Sequence, residues 1–140
     1  MKKYSSLIIF FCFMYLGAYA QLNINLLASL DWEQNCNDVW GYYDGNREYA
    51  LVGTRTGLSI VEVTDPSTPN ELFFTPGYTS TWRDIKTWQH YAYVVNETQG
   101  GVHIVDLSSL PSAIDTSAWN GGLWQGDSIT IEAAHNIFID

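Results

Sequence analysis

The chain has 140 residues, of which fifteen are acidic and six are Lys or Arg, and its formal net charge is −9. A chain this acidic repels phosphate backbones and anionic lipid headgroups, so we expect neither nucleic-acid binding nor binding to a membrane surface. The hydrophobic content of 46% and aromatic content of 15% argue against intrinsic disorder. The length corresponds to one modest domain or part of a larger one.

The N-terminus has the pattern of a secretory signal peptide over residues 1–20. Lys2 and Lys3 form the positive region, residues 7–16 are almost entirely apolar, and the sequence AYA at 18–20 is the small-x-small site that signal peptidase cleaves. An apolar run of about ten residues is too short to span about 30 Å of hydrocarbon, and no later segment is apolar enough either. We therefore predict export, cleavage before Gln21, and no membrane-spanning segment in the mature chain.

Cleavage changes the charge and the cysteine count of the remaining chain. Four basic residues then stand against fifteen acidic ones, a net charge of −11, which leaves cations, neutral glycans and basic protein patches as partners. Cys36 becomes the single cysteine once Cys12 is removed. An odd cysteine in an exported protein predicts a disulfide partner outside this chain segment; the alternative is a buried free thiol that packs as a small hydrophobe.

An internal repeat organises the rest of the chain after a lead-in at residues 21–35. The sequence YALV at 49–52 recurs as YAYV at 91–94, and LSIVEV at 58–63 recurs as VHIVDL at 102–107, a spacing of 42–44 residues. That period, with strand-forming residues, is typical of the blades of a β-propeller. A shorter echo precedes each unit: NDV at 37–39, RDI at 83–85 and HNI at 135–137.

Each unit carries the signals of four strands. The Asp44-Gly45 pair predicts a tight hairpin between strands at 39–43 and 48–54. The β-branched runs at 58–63 and 102–107 predict central strands, and 71–74 predicts the outer strand of the first unit. Residues 108–127, which contain Pro111 and several glycines, predict a loop insertion, and 137–140 predicts a further strand.

The predicted fold is therefore an all-β, propeller-like array of four-stranded blades. The units span residues 36–80, 81–130 and 131–140, so the array has about two blades and the first strand of a third. A blade uses about 40–45 residues and a closed ring needs at least four. We accordingly expect this sequence to be a fragment.

The motifs resemble the N-terminal part of the choice-of-anchor B family, whose LVIVD repeats are propeller-like. The stretches concerned are CNDVWG at 36–41, EYALVG at 48–53, VTDP at 63–66, WRDIK at 82–86 and AHNI at 134–137. The resemblance implies an exported or surface-displayed bacterial protein whose anchoring device is C-terminal and absent here. In one departure, Gly100-Gly101 replaces an expected His-Gly pair, and His103 lies two positions inside the strand.

Candidate site residues come from the three echoes. If these echoes begin the innermost strands of successive blades, Asp38, Asp84, His135 and Asn136 gather at one face, close to the central axis. Carboxylates and imidazole could hold a divalent cation, Ca²⁺ or Zn²⁺, or a polar ligand. The alternative, which we favour, is that each side chain satisfies backbone groups where its strand begins.

Two further interpretations concern single residues. The neighbouring Arg83 and Asp84 predict a local ion pair or turn cap, and the alternative is a contact with a ligand. Trp40, Trp82 and Trp88 predict packing between blades rather than a sugar-binding platform. The sequence contains no nucleophile elbow, HExxH, CxxC or phosphate-binding loop. We therefore predict a non-catalytic binding or scaffold module for which no cofactor is certain. We expect it to be secreted or at the cell surface or outer membrane. Its expected partner is an unknown extracellular protein or glycan. The alternative is an extracellular hydrolase or lyase with a metal or histidine at the axial face.

Overall fold

The computed structural model describes residues 24–32, 35–117, 123–128 and 130–140. The predicted signal peptide and its cleavage site at Gln21 lie outside these residues. The strands are β1 (Cys36–Tyr43), β2 (Glu48–Thr54), β3 (Gly57–Glu62), β4 (Asn70–Pro76), β5 (Arg83–Trp88), β6 (Tyr91–Asn96), β7 (Val102–Asp106) and β8 (Leu123–Trp124). No helix long and apolar enough to cross a membrane occurs in the described part of the chain.

The eight strands form two four-stranded antiparallel sheets, β1-β2-β3-β4 and β5-β6-β7-β8. Each sheet corresponds to one predicted blade, so the all-β, propeller-like class and the four strands per unit are confirmed. Strands β3 and β7 are central in their sheets, as their β-branched composition predicted. The hairpin between β1 and β2 turns at Asp44 and Gly45, where Gly45 has a φ of 98°. Glycine adopts this positive φ without steric cost.

The second sheet differs from the first at its outer strand. β8 has two residues, which pair with Val102 and His103 of β7, and it lies inside the segment predicted as a loop insertion. An isolated bridge between Asp106 and Asp115 continues along the same edge of β7. A two-residue strand leaves no alternating pattern in the sequence, so it is found only from its hydrogen bonds.

The last described segment differs from its prediction. We predicted a strand at 137–140, whereas no strand is assigned at 130–140. A strand is defined by a ladder of hydrogen bonds to a neighbouring strand. Backbone hydrogen bonds join Ile131 to Gln125, Glu132 to Gly101 and Ala134 to Asn96, but the structure assigns no ladder to this segment.

The main core lies between the two sheets, and alternation along each strand determines which side chains reach it. It comprises Tyr49, Leu51, Leu58 and Ile60 of the first sheet and Ile85, Ala92, Val94, Val105 and Leu107 of the second sheet and the turn after it. A second cluster lies on the opposite face of the second sheet, where Val95, Val102 and Ile104 contact Tyr91, Tyr93, Trp124, Ala134 and Ile137. The strands β1 and β5 lie side by side and bring the first two echoes together.

Candidate functional site

The three echoes line one small cavity at the start of β1 and β5. Its volume is about 160 Å³, and its lining includes Asp38, Asp84, His135 and Asn136, together with Trp82. All four predicted side chains therefore lie at the same place in the fold. Their position follows from the repeat, because each belongs to the equivalent segment of successive units.

Asp38 and Asp84 perform the same structural task in successive units. Oδ2 of Asp38 accepts a hydrogen bond of 2.8 Å from the backbone amide of Ile85. Oδ2 of Asp84 accepts one of 2.7 Å from the backbone amide of Ile137. In each case the donor is the third residue of the next echo, whereas the aspartate is the second residue of its own echo. The two aspartates thus connect consecutive units through backbone amides, as expected for side chains that satisfy backbone groups where a strand begins.

Asp84 also forms an ion pair that the sequence reasoning did not identify. Nζ of Lys86 lies 2.6 Å from Oδ1 of Asp84, and both side chains are largely buried. Burial raises the pKa of Asp84, but hydrogen bonds from Lys86 and the Ile137 amide outweigh burial and hold that pKa below its ordinary value. Asp84 is therefore a carboxylate at neutral pH.

The predicted pairing of Arg83 with Asp84 is wrong. Neighbouring residues of a strand point to opposite faces, so Arg83 turns away from Asp84. Nε of Arg83 donates to the carbonyl of Thr54 at 3.0 Å, and Nη2 donates to the carbonyl of Tyr78 at 2.7 Å. Lys86, two positions after Asp84 and on the same face, takes the place of Arg83. The i, i+2 spacing on a predicted strand is the sequence signal that could have identified Lys86.

The tryptophans lie at the surface between the units rather than in the core. Trp40 is 38% exposed, Trp82 52% and Trp88 51%. Nε1 of Trp40 nevertheless joins the two sheets by donating to Oγ1 of Thr87 at 3.0 Å, and Nζ of Lys86 lies 4.4 Å from the centre of the Trp40 ring. The prediction of packing between blades therefore holds for Trp40 as an edge contact.

His135 lies at the exposed side of the cavity. Its Nδ1 contacts Oε1 of Glu97, and its ring centre is 5.8 Å from that of Trp82. Among the described residues, no group of three or more His, Cys, Asp or Glu side chains is arranged to hold a metal ion. The Ca²⁺ or Zn²⁺ interpretation stays a prediction, and any such ion would compete with backbone amides for the oxygens of Asp38 and Asp84.

Cys36 begins β1 and its thiol is free and exposed. The alternative of a buried thiol packed as a small hydrophobe is therefore wrong. A disulfide partner outside this chain segment stays a prediction.

Comparison with protein families matches this repeat. The LVIVD repeat matches residues 45–74 and 80–115. These two segments of the chain are therefore similar to the LVIVD repeat. The first match covers β2 and β3 and most of β4, and the second runs from just before β5 to the bridge at Asp115. No curated protein and no solved structure matches the chain.

The two matched segments fold into sheets with the same architecture. β3 contains the sequence LSIVE and β7 the sequence VHIVD, and these are the corresponding central strands. In both strands the first and third residues face one side of the sheet and the second and fourth face the other. A repeat of this kind can therefore contact a preceding unit with one face and a following unit with the other.

Proposed function

We propose that this protein is an exported or cell-surface repeat protein of the choice-of-anchor B type, acting as a non-catalytic binding or scaffold module. Its LVIVD units build the module by stacking. The observation that carries this proposal is the hydrogen bond from a backbone amide to an aspartate of the preceding unit, which occurs at Asp38 and again at Asp84. A bond repeated at equivalent positions is consistent with a one-dimensional array in which each unit contacts its neighbours.

The apolar faces support the same proposal. The first sheet contributes Tyr49, Leu51, Leu58 and Ile60 to the core between the sheets. At the equivalent positions, the outer face of the second sheet presents Tyr91, Tyr93, Val102 and Ile104. Ile137 contacts this outer cluster as Ile85 contacts the inner one. The second unit therefore offers the following unit the same surface that the first unit offers the second.

This outer face holds a mainly apolar cavity of about 460 Å³ between Trp88, Tyr93, Ile104, Trp124 and Ile137. In the core between the sheets, the corresponding space is filled by Ala92, Val94, Val105 and Leu107. We infer that the occupant of the outer cavity is a further LVIVD unit, because its β6-like and β7-like strands would supply apolar residues at these four positions.

A chain extended by one unit tests the proposal. The echo at 135–137 corresponds to 83–85, so Asp140 corresponds to Trp88, and a second copy of residues 89–128 is joined directly after Asp140. We expect the extended chain to unfold at a temperature more than about 4 °C higher, because it buries the outer apolar face. It should also bind less of a hydrophobic dye such as ANS.

The matched control carries a scrambled copy of the same forty residues, with unchanged composition and charge. A rise in unfolding temperature with the scrambled copy, or no rise with the native copy, would count against stacking. Self-association of the unextended chain that vanishes in the Ile104→Lys variant would identify a second copy as an alternative occupant. The hydrolase or lyase alternative stays a prediction.

A further inference from the structure

A larger cavity lies between the two sheets, and Arg83 of the second echo lines both it and the echo cavity. Its volume is about 450 Å³, within the range of small-molecule binding sites. Thr75 and Pro76 of β4 line one side, and Arg83 of β5 and His103 of β7 line the other. The cavity therefore joins the two LVIVD units, and both of its basic side chains belong to the second unit.

Arg83 carries a buried positive charge into this cavity. It is 4% exposed, and two of its nitrogens donate to the backbone carbonyls of Thr54 and Tyr78. Within the described part of the chain, no acceptor contacts Nη1 and no carboxylate lies within ion-pair distance of the guanidinium. A buried charge is ordinarily paired, so Nη1 of Arg83 is a donor suited to an anion. The guanidinium remains charged, because arginine does not lose its proton in proteins.

His103 adds a second donor on the same side. Alternation along β7 directs its side chain to the same face as Val105, which packs between the sheets. Burial, reinforced by the charge of Arg83, lowers the pKa of His103. The imidazole is therefore neutral at pH 7 and has one ring N–H to donate. Within the described part of the chain, the His103 ring makes no hydrogen bond to another residue.

We propose that this cavity binds a small organic anion through a single carboxylate, with Nη1 of Arg83 and the ring N–H of His103 as donors. One guanidinium and one neutral imidazole balance one negative charge, which favours a monoanion over phosphate. The apolar part of the ligand would contact Pro76 and Leu123, which also line the cavity.

The acidic charge of the whole chain opposes anion binding only weakly at this site. Exposed charges are screened over about 8 Å at physiological ionic strength, whereas hydrogen bonds to a buried guanidinium are not. A charge-assisted hydrogen bond inside a cavity is also stronger than one between neutral groups. The local donors therefore outweigh the distant carboxylates. This proposal is independent of export and of a further unit.

The test is a calorimetric titration of the full-length protein with 3-methylbutanoate, a carboxylate with a small apolar tail. Its neutral amide, 3-methylbutanamide, and inorganic phosphate serve as comparison ligands. NMR resonances of the His103 ring report whether binding occurs at this cavity. We expect saturable binding of the carboxylate that shifts the His103 resonances, and weaker binding of both comparison ligands.

The variants Arg83→Gln and His103→Phe should each weaken binding by about tenfold or more, because each removes a hydrogen bond to a charged ligand. The control Arg55→Gln removes the same charge from an exposed position and should leave affinity unchanged. Arg83→Gln also removes the hydrogen bonds to the carbonyls of Thr54 and Tyr78, so circular dichroism is used to check that the variant folds. If that variant does not fold, Gly77→Ala replaces it, since the added carbon would lie 3.2 Å from Nη1 of Arg83 and block it.

Three results would overturn the proposal. One is the absence of saturable carboxylate binding. Another is binding of the amide or of phosphate as tightly as the carboxylate. The third is carboxylate binding that His103→Phe and the folded variant at Arg83 or Gly77 leave unchanged.

Discussion

The carboxylate of Asp84 and the backbone amide of Ile137 are joined by a hydrogen bond of 2.7 Å, although the residues are 53 positions apart. The equivalent residues, Asp38 and Ile85, are 47 positions apart and are joined by a hydrogen bond of 2.8 Å. Local chain geometry cannot produce contacts at such separations. The bond therefore reports directly on whether consecutive units are docked.

Replacing Asp84 should undock the segment that follows the second unit. We expect Asp84→Ala to lower the free energy of unfolding by about 1–3 kcal/mol, because it leaves the Ile137 amide without its acceptor and the partly buried Lys86 ammonium without its carboxylate. Hydrogen exchange of the Ile137 amide should become faster. Asp31→Ala is the matched control, because Asp31 is exposed. Unchanged exchange at Ile137 in Asp84→Ala would contradict the assigned role.

Gly57 is required where β3 approaches β4. A Cβ atom at this position would lie 2.2 Å from the carbonyl oxygen of Thr75 and 3.1 Å from Cα of Pro76. Both neighbours are backbone atoms, so we expect Gly57→Ala to destabilise the protein by about 1–3 kcal/mol. Gly41→Ala is the control within the same sheet, since nothing lies within 4 Å of the added carbon. Equal denaturation midpoints for the two variants would show that β4 moves aside without cost.

The stability of the protein should depend on His103 in mildly acidic solution. Because the folded-state pKa of His103 is lowered, the unfolded state binds this proton first. The contribution of His103 to the free energy of unfolding is therefore intact above about pH 6.5. It declines as the pH falls from there through the folded-state pKa. Urea denaturation between pH 7.5 and 5 should show a smaller loss of stability in His103→Phe than in the parent. Parallel curves for the two proteins would contradict the prediction.

Export should remove the first twenty residues. The positive residues Lys2 and Lys3, the apolar run at 7–16 and the AYA sequence predict a mature N-terminus at Gln21. Intact-mass spectrometry of protein recovered from the exported fraction measures it. Ala18→Arg, which disrupts the small-x-small site, should prevent cleavage. Recovery of exported parent protein that retains residues 1–20 would disprove the prediction.

A divalent cation at the echo cavity should raise the unfolding temperature. A ligand that binds only the native state stabilises it by mass action, so Ca²⁺ or Zn²⁺ should shift the midpoint if Asp38, Asp84 and His135 bind it. The double variant Asp84→Ala/His135→Ala should lose the metal-dependent part of the shift. If neither ion shifts the midpoint, or if the double variant keeps the full shift, the four residues serve only as hydrogen-bonding groups at the starts of the strands.

The sequence by itself determined the fold class, the number of strands in a unit and the position of the candidate cavity. Period-two alternation, β-branched runs and the Asp44-Gly45 turn are local signals, and a 42–44-residue repeat places equivalent residues at equivalent points. That is why Asp38, Asp84, His135 and Asn136, chosen from three echoes, line one cavity.

Only the tertiary structure decided which partner each side chain takes. Arg83 and Asp84 are adjacent and opposite in charge, yet strand geometry directs them to opposite faces. Asp84 therefore pairs with Lys86 and Ile137, while Arg83 binds carbonyls of the preceding unit and of the segment joining the sheets. The two-residue strand β8 likewise exists only through its pairing with β7. Such partners depend on the docking of distant segments, because hydrogen bonds and buried charges are satisfied in three dimensions rather than along the chain.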